Sequence, residues 1–434
     1  MKSVVTLLPA LAAMALSLHA CGAIASGTGV VHDNGGNAAG LPILRNVEEA
    51  PASLENGIKA LGGEGVQFKF DYSGEAFANL SGGVRRGGDY EGLVSISVDL
   101  DLQKLFHWDG ATLCASMLYP HGNGITDQYV HDYNVVSNID AYDSIRLFQL
   151  WFQQAFFDDR FSIRAGQLAT DNDLLVSNNS ALFINNAFGA IGTIVHDVNQ
   201  PTYPVGSEGI RLRCDVTPLF YLESMAVDDN PGAQNLGDKH GTEFGPDRSH
   251  GVLAFFEMGY IPNPSLGTSP LGAAYKFGGY FDSQFHPDIS KGSSGHGDYG
   301  FYAVADQPLY VPTGVANGSP EGLSGFARVS YAPDQRNAVV YYFDAGVNYT
   351  GMLPGRPTDI FGAAFSFERL GADVDQAFGA PVLSHHEHVI EITYLANLTD
   401  WLALQPDFQY IINPGGVGRI PNALVAGIRF NFSF

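Results

Sequence analysis

The stretch "AGIRFNFSF" (residues 426–434) alternates apolar and polar side chains to its last residue. Leu424, Ala426, Ile428, Phe430, Phe432 and Phe434 fall on one parity, and Gly427, Arg429, Asn431 and Ser433 on the other. A period of two sends successive side chains to opposite faces of an extended chain, so this is a strand with one greasy and one polar face. A free chain end would fray. A strand this regular has to pair with a sheet or close one, and that requirement restricts the fold more than any other feature.

The same pattern recurs along the chain. In "VQFKFDY" (66–72) Val66, Phe68, Phe70 and Tyr72 oppose Gln67, Lys69 and Asp71, and "LVSISVDL" (93–100) repeats the arrangement. Further runs lie near 110–119, 145–154, 160–168, 208–216, 219–226, 252–260, 271–282, 299–308, 323–332, 337–349, 359–368, 387–396, 401–412 and 423–434. The even total, sixteen, and the run length fit a closed antiparallel barrel whose tilted strands cross a bilayer. The connections alternate as well. Those at 73–91, 120–144, 169–207, 227–251, 283–298, 369–386 and 413–422 are long, as external loops are, whereas "FFDDR", "TP" and "LTD" are periplasmic-sized turns. The 309–322 turn is long for its side and the external "PDQR" tip is short. A soluble β-sandwich also alternates. A leader segment, the strand count and the terminal Phe434 favour a 16-stranded transmembrane β-barrel. Its last strand would pair with its first, because lipid tolerates no open sheet edge.

Composition agrees. Charged residues are 15% of the chain against roughly 25% in soluble domains, and there are 52 Gly. A formal charge of −23 excludes nucleic acid as a partner. Lys2, the apolar run Val4–Leu18 and the small residues of "AIAS" predict a signal peptide over 1–25, hence export. The alternative, lipidation of Cys21 in "LHAC", fits less well because of His19. Residues 26–65 form a periplasmic segment with a short helix from about Pro51 to Leu61, and 66–434 the barrel. Cys114 and Cys214 remain, facing lumen and lipid respectively, with no disulfide between them.

Four stretches carry a family resemblance: "DLDLQKLFHWDGATLCASM" (99–117), "SIRAGQLATDNDLLVSNNSALFINNAFG" (162–189), "YAPDQRNAVVYYFDAGVNYTGMLPGRPTDIFGAAFSF" (331–367) and "IEITYLANLTDWLALQPDFQYIINPGG" (390–416). In these the chain resembles the OprB family of carbohydrate-selective porins. "GTEFGPDRSHG" (241–251) and "HPDISKGSSGHG" (286–297) have no counterpart in that resemblance. It implies a sixteen-stranded bacterial outer-membrane pore, monomeric or homotrimeric, for passive diffusion of mono- and small oligosaccharides, without a cofactor. The chain's ending on Phe434 is similar to the signal read by the barrel assembly machinery. Lipid and lipopolysaccharide would surround the wall.

A sugar pore needs hydrogen-bonding groups to replace water on hydroxyls and aromatic faces to stack on the ring. Parity nominates them. With Phe161, Ile163 and Ala165 outward, Arg164 faces in; with Ile210, Leu212, Cys214 and Val216 outward, Arg211 and Arg213 face in. Arg forks suit vicinal oxygens, though they equally serve as struts paired to wall carboxylates. With Phe148, Leu150 and Phe152 outward, Gln149 and Trp151 face in, but "LFQLWFQQAFF" also allows Trp151 to anchor in lipid. Gln405, Asp407, Gln409, Asp344 and a solvated Glu391 complete the lumen set. The 169–207 connection is expected to fold inward as a constriction, with Asn185 and Asn186 offered to hydroxyls and Phe183 and Phe188 stacking or docking it; an ordinary external loop is the alternative.

Other chemistry is weakly signalled. "SHHEH" puts His386 and His388 on one face only if it is strand, and zinc needs three or four ligands. Asp171 and Asp173 lack the rest of a calcium loop, leaving only a surface calcium ion. No phosphate-binding or serine-hydrolase motif occurs. A general or cation-preferring pore is the competing function, with a barrel enzyme third.

Overall fold

A computed structural model describes residues 65–434 apart from 232–237, 246–250, 265–270, 287–288, 290–294, 314–319 and 373–381. The expected leader and the segment 26–64 lie outside the described residues. The strands are β1 (Val66–Ser81), β2 (Gly87–Asp101), β3 (Ala111–Gly122), β4 (Arg146–Phe156), β5 (Phe161–Leu168), β6 (Ser207–Thr217), β7 (Phe220–Asp228) and β8 (Val252–Tyr260). They continue with β9 (Ala274–Phe285), β10 (His296–Tyr310), β11 (Gly322–Tyr331), β12 (Val339–Thr350), β13 (Ile360–Leu370), β14 (His386–Asn397), β15 (Leu402–Ile412) and β16 (Ala423–Ser433). Each pairs antiparallel with its sequence neighbours, and β16 pairs with β1, so the barrel is closed.

The closing register sets Tyr72 against Phe432 and Gly74 against Phe430. Phe434 continues the ladder, exchanging backbone bonds of 3.0 and 2.9 Å with Phe70. Trp401 stacks on Phe432 and Phe434 at 5.9 and 6.0 Å. This aromatic cluster at one rim fits the side chains that sit at the lipid–water boundary.

Two local expectations are overturned. Residues 73–81 and 87–91, read as part of an external loop, are strand, and only 82–86 turns. Most of their outward positions are small (Gly74, Ala76, Ala78, Gly88), so the alternation carries little hydropathy contrast. Gly74 is small for a reason: a Cβ there would lie 2.5 Å from both the Tyr90 hydroxyl and the Phe430 ring, which close over it. The second concerns Phe148. Ser116 pairs with Gln149 while Met117 pairs with Leu147, so the ladder skips Phe148. This bulge turns Phe148 inward, not to lipid, and buries it with Leu93, Leu118, Ile139 and Ala169.

Cys114 lies on the lumen parity between Asp99 and Trp151. Cys214 lies on the outward parity, packed with Phe161 and Leu212. Both are free thiols on opposite faces of the wall.

Candidate functional site

The 169–206 connection folds into the barrel and is fastened along the wall from β5 to β15. Each tie is a lumen-facing side chain bonding loop backbone or a small polar group. Leu175 N–H donates to Glu257 on β8 at 3.1 Å, and Lys276 on β9 donates to the Val176 carbonyl at 2.8 Å. Ser177 Oγ and Asn178 N–H donate to Asp306 on β10 at 2.6 and 3.1 Å. Asn348 on β12 donates to the Asn179 carbonyl at 2.7 Å, and Gln405 on β15 to that of Leu182 at 2.8 Å. Ile184 and Asn185 N–H groups donate to the two oxygens of Glu391 on β14, at 2.6 and 2.9 Å.

Two short helices follow, Asn186–Gly189 and Gly192–Val195. Arg328 on β11 donates to the Ala187 and Phe188 carbonyls at 3.2 and 2.7 Å and pairs with Asp344 on β12 at 2.5 Å. Tyr342 also donates to the Ala187 carbonyl. Apolar loop residues Leu174, Leu175, Ile191, Ile194 and Val198 pack on Met225, Val227, Leu253 and Phe255 of the wall, forming a dry core inside the barrel. Phe183 and Phe188 dock on Phe326 at 5.7 and 6.5 Å. At roughly 1.5–3 kcal/mol for each large side chain fully buried, this packing rivals the polar ties.

The loop at 123–145 bends inward as well and props the first. Asn138 N–H donates to the Ile184 carbonyl at 2.8 Å, and Asn186 N–H to that of Val135 at 3.0 Å. Arg429 holds Asn138 at 2.7 Å and Glu75 at 2.7 Å, and Ser137 bonds Glu75. Glu387 accepts the Tyr133 and Asn134 N–H groups at 2.7 and 2.9 Å. Tyr133 meets His196 with ring centroids 4.3 Å apart, and burial pushes the His196 imidazole down to about 4, so this junction is uncharged on the histidine side at neutral pH.

The inward fold of 169–207 agrees with the sequence. The role of several nominated residues is sharpened. Asp344, Glu391, Gln405, Asp407 and Gln409 all face the lumen parity, but beneath the loop and fully buried. Glu391 is not solvated, as the sequence had suggested; the descending loop displaces water from it. Asn185 uses Oδ1 to cap Ala187 N–H and Nδ2 to bond Gln409, both at 2.9 Å. Asn186 stands half-buried beside it. Gly192 sits where a Cβ would come within 1.9 Å of a Glu368 carboxylate oxygen. Gly192→Ala is therefore expected to loosen the second half of the loop by about 1–3 kcal/mol, as overpacking does, and faster proteolysis between 186 and 198 would register it.

The remaining candidates converge on β4 to β6, where the loop begins. Asp173, which caps the short turn Thr170–Asn172 at its C-terminal end, is the pivot. It pairs with Arg164 at 2.8 Å and Arg211 at 3.5 Å. Arg211 also pairs with Glu223 on β7 at 2.6 Å; Arg213 bridges Glu223 at 3.2 Å and Asp215 at 3.1 Å. Trp151 faces inward, with the Arg164 guanidinium carbon 4.1 Å from its ring centroid. Gln149 accepts from the Trp151 indole at 3.2 Å, and Gln153 from Arg164 at 2.9 Å. Arg213 lies over the Tyr221 ring, also at 4.1 Å. Arg164, Arg211 and Glu223 are sealed, whereas the side chains of Arg213 and Asp215 keep 19% and 16% of their exposure. The pairing role of Asp173 and the presence of Glu223 escaped the sequence reading; the one lies in an aperiodic loop, the other among inward apolar residues Tyr221 and Met225. Lumen parity on β7, once its phase is fixed by Leu222 and Ser224 facing out, would have found Glu223.

The histidines of "SHHEH" take the other face: His386 and His388 point outward beside Phe367. Among the described residues no three His, Cys, Asp or Glu side chains are arranged to hold a metal ion.

A closed barrel of sixteen strands, narrowed by an inward loop that is docked on the wall through polar and charged side chains, defines a porin, a passive channel through an outer membrane. Residues 85–434 match the profile of the family described as "Carbohydrate-selective porin, OprB family". The chain belongs to the OprB family of carbohydrate-selective porins. It is 27% identical to Porin B of Pseudomonas aeruginosa over 409 residues, covering 86% of this chain and 88% of that one. A putative porin of Acinetobacter baylyi, QuiX, is 21% identical over 86% of this chain and 90% of its own. The high-pH structure of Pseudomonas putida OprB superposes with a TM-score of 0.76 at 26% identity, over 85% of this chain and 94% of that one. These relatives are porins, so the chain works as an outer-membrane carbohydrate channel and not as an enzyme.

Proposed function

We propose that mono- and small oligosaccharides are selected at the polar cluster where the start of the inward loop meets the β4–β6 wall, with Arg213 as the hydrogen-bonding fork and Trp151, beneath Arg164, as an aromatic face of the same cluster. The observation that carries this is charge balance. Three guanidinium groups (Arg164, Arg211, Arg213) are met by three carboxylates (Asp173, Glu223, Asp215) within ion-pair distance. A cluster balanced this way offers directional donors and acceptors but little net field, which suits an uncharged polyol better than an ion. A cation-preferring filter would leave carboxylates in excess at the narrowest point.

Weak binding is part of the function, since a solute held tightly does not leave. Arg213, whose side chain keeps 19% exposure while Glu223 and Asp215 hold it, presents its guanidinium edge to vicinal hydroxyls. The residues beneath the loop (Glu391, Asp344, Gln405, Asp407, Gln409, Asn185) act here as its fastenings, fixing how far it projects into the barrel.

The test is flux in liposomes carrying the refolded protein, with glucose, a disaccharide and an uncharged amino acid compared. Glucose uptake should saturate, and Arg213→Ala should weaken saturation about tenfold, the equivalent of one lost charge-assisted hydrogen bond. Uptake graded by size alone, unaltered by Arg213→Ala, would reduce the arginines to struts.

A further inference from the structure

The outward parity of the wall is apolar over most of its area, as lipid demands, so polar side chains there need a reason. Near the extracellular ends of β13 and β14 three neighbouring outward positions are Arg369, His386 and His388. Arg369 pairs across the ladder with His386 on one side and Tyr341 on the other. The His386 and His388 rings are 4.9 Å apart. Both lean on Phe367, at 6.4 and 5.2 Å, and His388 stacks on Phe365 at 5.5 Å. Ser384 Oγ meets His386 Nδ1 at 3.2 Å.

The acids on these strands point the other way. Glu368 and Glu387 face the lumen and are 1% and 2% exposed. Among the described outward residues of β12 to β15 at this end none is acidic, in a chain with 45 acidic and 22 basic residues. Tyr331, Tyr341 and Tyr410 are exposed around the patch, and outward tyrosines mark the headgroup boundary. The described outward residues of these strands thus present a basic group at headgroup level, above a phenylalanine surface at acyl-chain level.

We infer that this patch binds a phosphorylated glycolipid of the outer leaflet, of the lipid A type. Arg369 forks a phosphate through paired N–H groups, and His386 presents its ring edge to the same headgroup. His388, one step deeper, and the rings of Phe365 and Phe367 line the first methylenes of an acyl chain. The inference requires the barrel to sit in the outer membrane but is independent of which solute crosses it.

The test uses the full-length protein in detergent, with diphosphoryl lipid A, its dephosphorylated form and inorganic phosphate as separate probes, and native mass spectrometry with thermal melting as readouts. Diphosphoryl lipid A should remain bound and raise the melting point. Arg369→Ala should weaken it about tenfold, Arg369→Lys less, and His386→Ala with His388→Ala by an intermediate factor. Unchanged glucose flux in each variant would establish that the barrel has formed, since these side chains face away from the lumen. Equal binding by Arg369→Ala, or equal binding of the dephosphorylated lipid, would overturn the inference. So would a full effect from inorganic phosphate alone, which would mark a site for free anions.

Discussion

Asp173→Asn is expected to turn a nearly non-selective pore toward anions. The replacement keeps the side chain's shape and its place against the wall but removes one of the carboxylates facing Arg164 and Arg211. A unit charge felt at about 4 Å through water is worth about 1 kcal/mol, and more where the wall excludes water. The chloride-to-potassium permeability ratio should therefore rise roughly fivefold or more, read as a shift of reversal potential in planar bilayers under a potassium chloride gradient. Glu223→Gln, which uncovers Arg211 and Arg213 instead, should shift it in the same direction. A ratio that does not move in either variant would mean that the ion path avoids this cluster, and the proposed selection site would go with it. High salt should blunt the effect, because the screening length is only ~10 Å at 0.1 M.

Arg328→Ala should have the largest effect on the integrity of the constriction. Arg328 is fully buried and holds Asp344 along with two loop carbonyls. Taking one partner from a buried ion pair strands the other charge and costs about 3–5 kcal/mol. Asp344 would keep Tyr342 at 2.7 Å but lose its counter-charge. The loop around Ala187 and Phe188 should then leave the wall, raising single-channel conductance and lowering the temperature at which the barrel loses its compact electrophoretic form. Replacing both partners, Arg328→Met with Asp344→Leu, should restore much of the thermal stability, since no charge is left stranded. If the single and double variants melt alike, and the single variant conducts as the parent does, the pair is not what fastens the loop.

Much of the barrel was legible in the sequence because lipid imposes one rule on every strand: the outward face is apolar. Ile210, Leu212, Cys214 and Val216 fix the phase of β6, and with it the inward direction of Arg211 and Arg213. The rule fails where both faces are apolar. On β7 and β8 the inward residues Met225, Val227, Leu253 and Phe255 are covered by the loop rather than by water. Glu223 and Glu257 are embedded among them and look unremarkable in a one-dimensional reading. Phe148 was misplaced because a bulge adds one residue that no periodicity announces. Glu391 was thought to be solvated because parity tells which way a side chain points and nothing about what comes down to meet it. Asp173 was named only for a calcium motif it does not complete; its pairing with Arg164 and Arg211 depends on a loop path that has no period to read.

The fastening of the inward loop also sets an order of events during folding. Residues 170–198 find their partners on strands that come far later in the chain, the longest of these ties joining Asn185 to Gln409 across 224 positions. The seam between β1 and β16 spans more, 358 positions from Ser73 to Asn431. Contacts so distant in sequence are slow to form, since the chain loses the entropy of each closure before the contact repays it. Half of the loop's docking wall does not exist until β10 to β15 are in place. By the same ordering the loop docks once β10 to β15 have paired and before the more distant β1–β16 seam closes, so the channel is already narrow when its wall is complete. Time-resolved conductance during membrane insertion should rise directly to the mature level, with no wider state before it.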